Sequence, residues 1–491
     1  MMIFMSMSPT SASLSSSMPA PASNTGDAPT YSFRDKIIVL IGASIAAFIT
    51  PFAGAMVNLS LPHIGETFHV TAHALGWMST AYLLASVLFL IPVARLADLY
   101  GRKKLFLIGI VIIMITSFLA PFSPSYAILV LLRFLDGMGM ACIFSTSLAM
   151  LSSVYPPKER GFAFGINVGF VYIGSSLGPV IGGIMTENFG WQSLFFLLIP
   201  MAFIGGILIW RGVKSNYDES RGEPFDWMGT ILYAVTIIFL IFGLTNIPET
   251  WAFGSLLLGI CTLPMFVLYE KRQTYPVLKV KLFIQNKLFR RSNMAAFLNY
   301  AATYSILFFL SLYLQSVDHL SPQNAGFVLL AQPIIQAILS PVIGKTSDKI
   351  DGRYLATFGM LLITAGLLLL TTLEGNTPIS HIIAFEVILG LGFAFFAAPN
   401  TSTVMGSVGQ KDYSSASSIL SATRQAGMVL SMAIAMCSIS FFVGSSDMIS
   451  SEMIPNFLMA MHFTFSFCAL LCLVGAVLSY LRGPTKREVE A

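Results

Sequence analysis

Four charged side chains interrupt long apolar runs, and their chemistry sets the reading of this chain. Arg133 and Asp136 lie three apart in Arg133-Phe-Leu-Asp-Gly-Met-Gly139, so on a helix they share a face. Arg424 lies in Thr423-Arg-Gln-Ala-Gly427, about ten residues into its run, or ~15 Å along a helix. Glu386 precedes Gly390-Leu-Gly392 and Pro399-Asn400. A charge inside an apolar span is costly and usually faces a partner or a water-filled cavity. The Arg133–Asp136 pair is either proton-labile, with an affinity that follows water access, or a permanent structural ion pair. Arg424 is a pathway residue or a structural arginine bonded to carbonyls. Glu386, a turn or two inside its run, either reaches the outer surface or is a second proton group.

A second feature is a charged turn that occurs twice. Ala94-Arg-Leu-Ala-Asp-Leu-Tyr-Gly-Arg-Lys-Lys104 carries Asp98, Gly101 and Arg102 between two apolar runs, and Gly344-Lys-Thr-Ser-Asp-Lys-Ile-Asp-Gly-Arg353 carries Asp348 and Arg353 in the same order. Two copies of one loop predict two copies of one structural unit. A third feature is Gly174-Ser-Ser-Leu-Gly-Pro-Val-Ile-Gly-Gly183. Gly174, Gly178 and Gly182 share a helix face and let another backbone approach closely, with Gly183 beside them. Pro179 removes a backbone hydrogen bond and favours a kink.

The elements that position these residues follow from composition. The chain of 491 residues is 55% hydrophobic and 10% charged, against about a quarter charged in a soluble globular protein. Apolar runs near twenty residues predict an all-α polytopic membrane protein. A net charge of +4 argues against nucleic acid as a partner. The five cysteines fall inside apolar runs and none forms a CxxC pair, which predicts small packing residues rather than disulfides or metal ligands. His63, His69 and His73 share one predicted outer loop at a spacing that matches no metal pattern. Neither a metal nor another cofactor is expected.

Hydropathy places fourteen spans at roughly 36–58, 75–98, 104–122, 125–153, 160–185, 192–211, 227–246, 252–270, 291–316, 323–346, 354–373, 379–404, 414–443 and 457–482. On this map the loops after odd-numbered spans contain none of the 27 Lys and Arg residues. The positive-inside rule then puts both termini in the cytoplasm. The predicted organisation is a disordered tail (1–33), a six-helix bundle (34–211), an inserted helix pair with its linkers (212–289), a second six-helix bundle (290–482) and a cytoplasmic tail (483–491). The first thirty residues lack the basic region and compact apolar core of a secretory signal.

The loop at Asp98 resembles the signature between the second and third helices of the major facilitator superfamily, Gly-x-Leu-Ala-Asp-x-x-Gly-Arg-Lys. Leu96, Ala97, Asp98, Gly101, Arg102 and Lys103 match it, and Ala94 replaces its first glycine. The Gly174–Gly183 stretch is similar at every fixed position to the signature of the antiporter branches. Arg133-x-x-Asp-Gly-x-Gly resembles an Arg-x-x-Gln-Gly-x-Gly pattern whose arginine is tied to proton coupling, with Asp136 in place of the glutamine. Thr423-Arg-Gln-Ala-Gly427 is similar to a segment of fourteen-helix drug exporters. Asn58, Leu61 and Pro62 match the end of the first helix of those exporters, but Ala53 and Ala55 replace its aspartate and threonine.

The resemblance implies a major facilitator fold of the fourteen-helix drug:proton antiporter type, with the substrate path between the bundles near the midplane. The path candidates are Asn58, Asn299, Tyr300, Tyr304, Gln315, Gln332, Gln336, Asn400 and Gln425. The implied function is secondary active transport in the cell membrane, as proton-coupled efflux of amphipathic small molecules by a monomer. Its partners are the small-molecule substrate, protons and the lipid bilayer. The missing first-helix acid keeps open a proton symporter or facilitator for a metabolite or organic anion. An enzyme would need a cluster of catalytic residues at one depth, and none stands out. There is no Gly-x-x-x-x-Gly-Lys-Ser/Thr loop for direct use of ATP. Asp98 is expected to act as a latch that meets the N-terminal end of the thirteenth span, near Asp412–Ser414.

Overall fold

In a hydrocarbon layer every backbone N–H and C=O needs a partner within the protein, and a helix supplies them all within one segment. The computed structural model follows that rule. It describes residues 31–156, 159–215, 222–247, 249–347, 350–409, 413–444 and 453–484. Among these residues, fourteen spans are long and apolar enough to cross a membrane.

The first six are α1 (Phe33–Phe68), α2 (Ala72–Tyr100), α3 (Arg102–Leu119), α4 (Tyr126–Val154), α5 (Arg160–Phe189) and α6 (Gln192–Gly212). Then come α7 (Trp227–Thr245), α8 (Thr250–Arg272) and the short α9 (Val280–Gln285). The last six spans are α10 (Lys287–Ser316), the broken span α11 (Pro322–Leu329) with α12 (Ala331–Thr346), α13 (Gly352–Leu370), α14 (Ile379–Gly406), α15 (Tyr413–Phe442) and α16 (Ile454–Tyr480). The fold is two six-helix bundles with two helices inserted between them. Asp348 and Asp412 lie outside the described residues.

Three elements differ from the sequence reading. The first helix does not end near residue 58. It runs through Pro62 to Phe68 and stops at His69 in the left-handed region (φ 50). The predicted histidine loop therefore shrinks to a short turn: His63 is helical, and His73 bonds to the Thr245 carbonyl of α7 at 3.1 Å. The proline is tolerated because its neighbours are buried in the bundle, where Ser60 bonds back to the Val57 carbonyl. The tenth span is broken at Leu330. Among the cysteines, Cys142, Cys468 and Cys472 are buried, whereas Cys261 is exposed on the outer face of α8.

Both ends of the described chain lie on one side, called here the basic end. There Tyr155 at the end of α4 bonds to the Lys36 carbonyl of α1, Lys103 to the Val213 carbonyl after α6, and Arg291 of α10 to the Leu481 carbonyl after α16. The inserted helices pack on each other through glycines, Gly243 against Leu256 and Gly259 against Leu240. One of them, α7, also docks on α2, where the Tyr233 hydroxyl donates to the Val87 carbonyl at 2.9 Å. The other, α8, exposes Phe253, Leu257, Ile260 and Leu268, a face suited to lipid.

Candidate functional site

The buried ion pair of α4 is built by close helix packing. Gly137 lets α4 press its backbone onto the Tyr82 carbonyl of α2. That contact slides the Tyr82 ring under the Arg133 guanidinium, 4.4 Å from it. Arg133 Nη1 donates to Asp136 Oδ2 at 2.7 Å, and Nη2 donates to the Ala53 carbonyl of α1 at 3.4 Å. The Thr116 hydroxyl of α3 donates to the other carboxylate oxygen at 3.4 Å. Arg133 is 1% exposed. Tyr304 of α10 reaches across from the second bundle: a Cβ on Gly54 would lie 3.6 Å from its hydroxyl and 3.6 Å from the Tyr82 ring. The pair thus sits one side chain away from the bundle interface. A proton placed on Asp136 would leave Arg133 held by an aromatic face and a carbonyl, so the cluster can take either charge state without losing every partner.

The second bundle carries its own cationic cluster. Arg424 of α15 donates to the Thr401 hydroxyl of α14 and lies 5.7 Å from the Tyr300 ring of α10. Tyr172 of α5 is within electrostatic range of both Tyr300 and Arg424, which again brings the first bundle to the second. Beside them, Gln425 Oε1 and both polar atoms of Asn299 are buried without a hydrogen-bond partner. Glu386 of α14 is not at the surface: it is 2% exposed, meets the backbone N–H of Gln332 where α12 begins, and leaves Oε1 without a partner. The helix break at Leu330 supplies the free N–H that this buried acid accepts.

The glycine motif serves two neighbours. Gly174, Gly178 and Gly182 face α1: a Cβ on Gly178 would lie 2.6 Å from Ala55 Cβ, and one on Gly182 2.6 Å from the Met56 carbonyl. Gly183 and Pro179 face the other bundle. A Cβ on Gly183 would run into the Pro322 carbonyl, and one on Gly326 would lie 2.7 Å from the Pro179 carbonyl. Glu187 accepts from the Gln323 N–H at 3.0 Å beside them. The Ser311 hydroxyl of α10 donates to the Asn58 carbonyl of α1 at 2.6 Å, and Thr80 of α2 donates to Met436 Sδ of α15 at 3.1 Å. At the end opposite the basic one, the bundles therefore touch backbone to backbone.

The basic end is different. A cavity of about 240 Å³ separates α2 and α4 from α15 and from the segment Pro276–Lys279. Asp98 lines it, across from Ser415 and Ser418. Arg102 Nη2 donates to Asp98 at 3.0 Å and Nη1 to Ser153 at 3.1 Å. Gly101 between them has φ 106 and ψ 129, a conformation that strains any residue with a Cβ. In the second copy of the turn, Arg353 stacks on Tyr354 at 4.5 Å and Tyr480 at 5.8 Å.

Several predicted path residues turn out to be tied into the bundles. Asn58, 1% exposed, accepts from the Ser79 hydroxyl at 3.0 Å and donates to the Gly54 carbonyl at 3.2 Å. Asn400 donates to the Ser292 carbonyl and accepts from Arg482 at 2.9 Å. Burial lowers the Arg482 guanidinium to about 10, against the opposing pull of Asp351. Gln315 donates to Ser311, which links it to the interface. Gln332 and Gln336 are half-buried on α12. Tyr82 and Tyr172 were not singled out by sequence. An aromatic in an apolar span carries no signal until its cation, on another helix, is placed against it.

Two bundles joined at one end and separated by a cavity at the other, with buried charges near their seam, define a multi-pass membrane transporter. The chain belongs to the Major Facilitator Superfamily, whose family model matches residues 43–226 and 293–491 and leaves the inserted helices between. Curated relatives include the riboflavin transporter RibZ of Clostridioides difficile (28% identical, covering 91% of this chain and 97% of that one). The multidrug resistance protein Stp of Mycobacterium tuberculosis is 28% identical over 82% of this chain and 75% of its own. Among solved structures, a bacterial homologue of the human lysosomal transporter Spinster aligns with a TM-score of 0.64 at 16% identity, over 92% of this chain and 97% of that one. That likeness concerns the fold alone.

Proposed function

We propose that this transporter is a proton-coupled exporter of amphipathic small molecules, working by alternating access in the cytoplasmic membrane as a monomer. The basic end faces the cytoplasm, as the distribution of Lys and Arg requires, and the present arrangement is inward-facing. The observation that carries the reading is the buried Arg133–Asp136 pair, held one side chain from the bundle seam. Asp136 takes the proton when the opposite end opens and water reaches the pair. It releases the proton toward the basic end while substrate moves the other way. Arg424, Gln425 and Asn299 form the matching wall in the second bundle, and Glu386 is its second proton group. The efflux direction draws support from relatives whose names refer to multidrug resistance and export.

A second reading, proton symport or facilitated passage of a metabolite, is favoured by Ala53 and Ala55 in the first helix and by the riboflavin transporter among the relatives. The test is purified protein in proteoliposomes under an imposed pH gradient, screened across dyes, cationic drugs, flavins and organic anions. Antiport predicts that added substrate drives protons out of the compartment it enters. Proton entry alongside substrate would establish the symport form of the second reading and substrate flux that ignores the gradient its facilitated form, and no flux of any of these compounds would overturn both.

A further inference from the structure

The inserted helix pair carries a carboxylate arrangement that the transport cycle above does not use. Asp226 caps the N-terminus of α7, accepting from the Gly229 N–H at 2.8 Å and from the Tyr269 hydroxyl at 3.2 Å, both through Oδ1. Glu270, near the C-terminal end of α8, accepts from the Leu278 N–H at 3.2 Å through Oε2. The other two oxygens, Asp226 Oδ2 and Glu270 Oε1, are buried and have no hydrogen-bond partner. Both lie under 3.0 Å from the place a Cβ would take on Gly229. They border one small space that exists because residue 229 has no side chain. Glu270 is 2% exposed, so its free oxygen is aimed into that space and away from water.

Two carboxylates that border one buried space repel each other when both are charged. The neighbouring cations are engaged elsewhere: Arg95 pairs with Glu223 at 2.7 Å and stacks on Tyr275 at 6.0 Å, and Lys279 lines the basic-end cavity. Neither reaches the two facing oxygens. A bound metal ion would need several further oxygen ligands, and the remaining donor here, the Tyr269 hydroxyl, already donates to Asp226. A proton on either carboxyl relieves the repulsion across this space.

We propose that Asp226 and Glu270 form a proton-binding site at the cytoplasmic root of the inserted pair. Its occupancy governs the strap 273–279. The link is covalent and short: Glu270 holds the Leu278 backbone, and Pro276, Val277, Leu278 and Lys279 line the cavity opposite Asp98 and Ser415. With the proton on Glu270, the bond from the Leu278 N–H weakens and the strap loosens from the mouth. Loss of the proton leaves a carboxylate, which holds the Leu278 N–H more strongly and draws the strap against the mouth. The site is separate from Arg133–Asp136, so its test does not depend on the coupling reading.

The experiment is infrared difference spectroscopy of the full chain in lipid nanodiscs, between acid and alkaline buffer, alongside thiol labelling of Val277→Cys over the background of the unmodified chain. Asp226→Asn keeps the α7 cap, because asparagine caps as well as aspartate, and its amide donates to Glu270 in place of the proton. Glu270→Gln is the second variant, should the first fail to fold. The expected result is a titrating carboxyl band that both variants lose. Labelling of Val277→Cys, normalised to the unfolded chain at the same pH to remove the thiolate's own response, should fall several-fold from acid to alkaline buffer, and Asp226→Asn should abolish that fall. A band unchanged in both variants, or a labelling slope that survives Asp226→Asn, would overturn the site. So would a response to sodium or potassium against choline at constant pH, which would assign the space to a cation.

Discussion

Arg133 touches a carboxylate, an aromatic face and a backbone carbonyl, all within its own bundle, and removing either charge of the pair is not equivalent. Arg133→Ala leaves Asp136 buried with one weak hydroxyl donor, a loss of about 3–5 kcal/mol for a broken buried pair. Asp136→Asn keeps a side chain of the same shape that still accepts from Arg133, and the guanidinium keeps Tyr82. Thermal unfolding in detergent should therefore show a larger drop for Arg133→Ala than for Asp136→Asn. Equal drops would mean that the two partners share the pair's stability evenly. The pair itself was legible in the sequence because both residues sit on one helix at a spacing of three. Its platform was not, since Tyr82, Thr116 and Ala53 come from three other helices. The amides show the same limit: the bonds of Asn58 and Asn400 run to neighbours that only the fold brings close.

At the scale of elements, the glycine helix separates two roles that its sequence presents as one. Gly178 meets α1 inside the first bundle, whereas Gly183 meets α11 of the second. Gly178→Leu should thus impair the assembly of one bundle, seen as lower yield of folded protein. Gly183→Leu should leave each bundle intact and wedge them apart at the end opposite the basic one, seen as increased reactivity of cysteines placed near Pro322. If Gly183→Leu leaves that reactivity unchanged, this contact does not close that end. The close-packing face was readable from the i, i+4, i+8 spacing; the second neighbour was not, because nothing in the motif records the partner of residue 183. Helix boundaries show a similar limit. Hydropathy ended the first span near residue 58, but buried neighbours carry α1 on through Pro62 to Phe68. The break at Leu330, which gives Glu386 its N–H partner, is marked by Pro333, which has no N–H for the Leu329 carbonyl, a signal that the apolar run around it hid.

For the whole molecule, the number of spans and the asymmetry of Lys and Arg were legible, because insertion into lipid imposes both on the sequence. Cysteines placed at 186–191 and 374–378 should be labelled from outside intact cells, and labelling only after permeabilisation would invert the proposed orientation. The cycle between open and closed states depends on smaller energies. Asp98 faces α15 across the basic-end cavity while bonded to Arg102. When that end closes, its charge should meet the N-terminal end of α15, a contact of ~0.3–1 kcal/mol when exposed and up to ~2 when partly buried. That biases two near-equal states several-fold without deciding the fold. Asp98→Asn should insert normally and exchange more slowly, with greater cysteine accessibility at the basic end; normal exchange would reduce the loop to a topology signal. Whether the buried acid of α4 carries the exchanged proton is tested by substrate-driven proton movement in proteoliposomes for the wild type and Asp136→Asn. The variant should still equilibrate substrate across the membrane but neither move protons nor accumulate substrate against a gradient. Proton movement at the wild-type rate in Asp136→Asn would contradict that role.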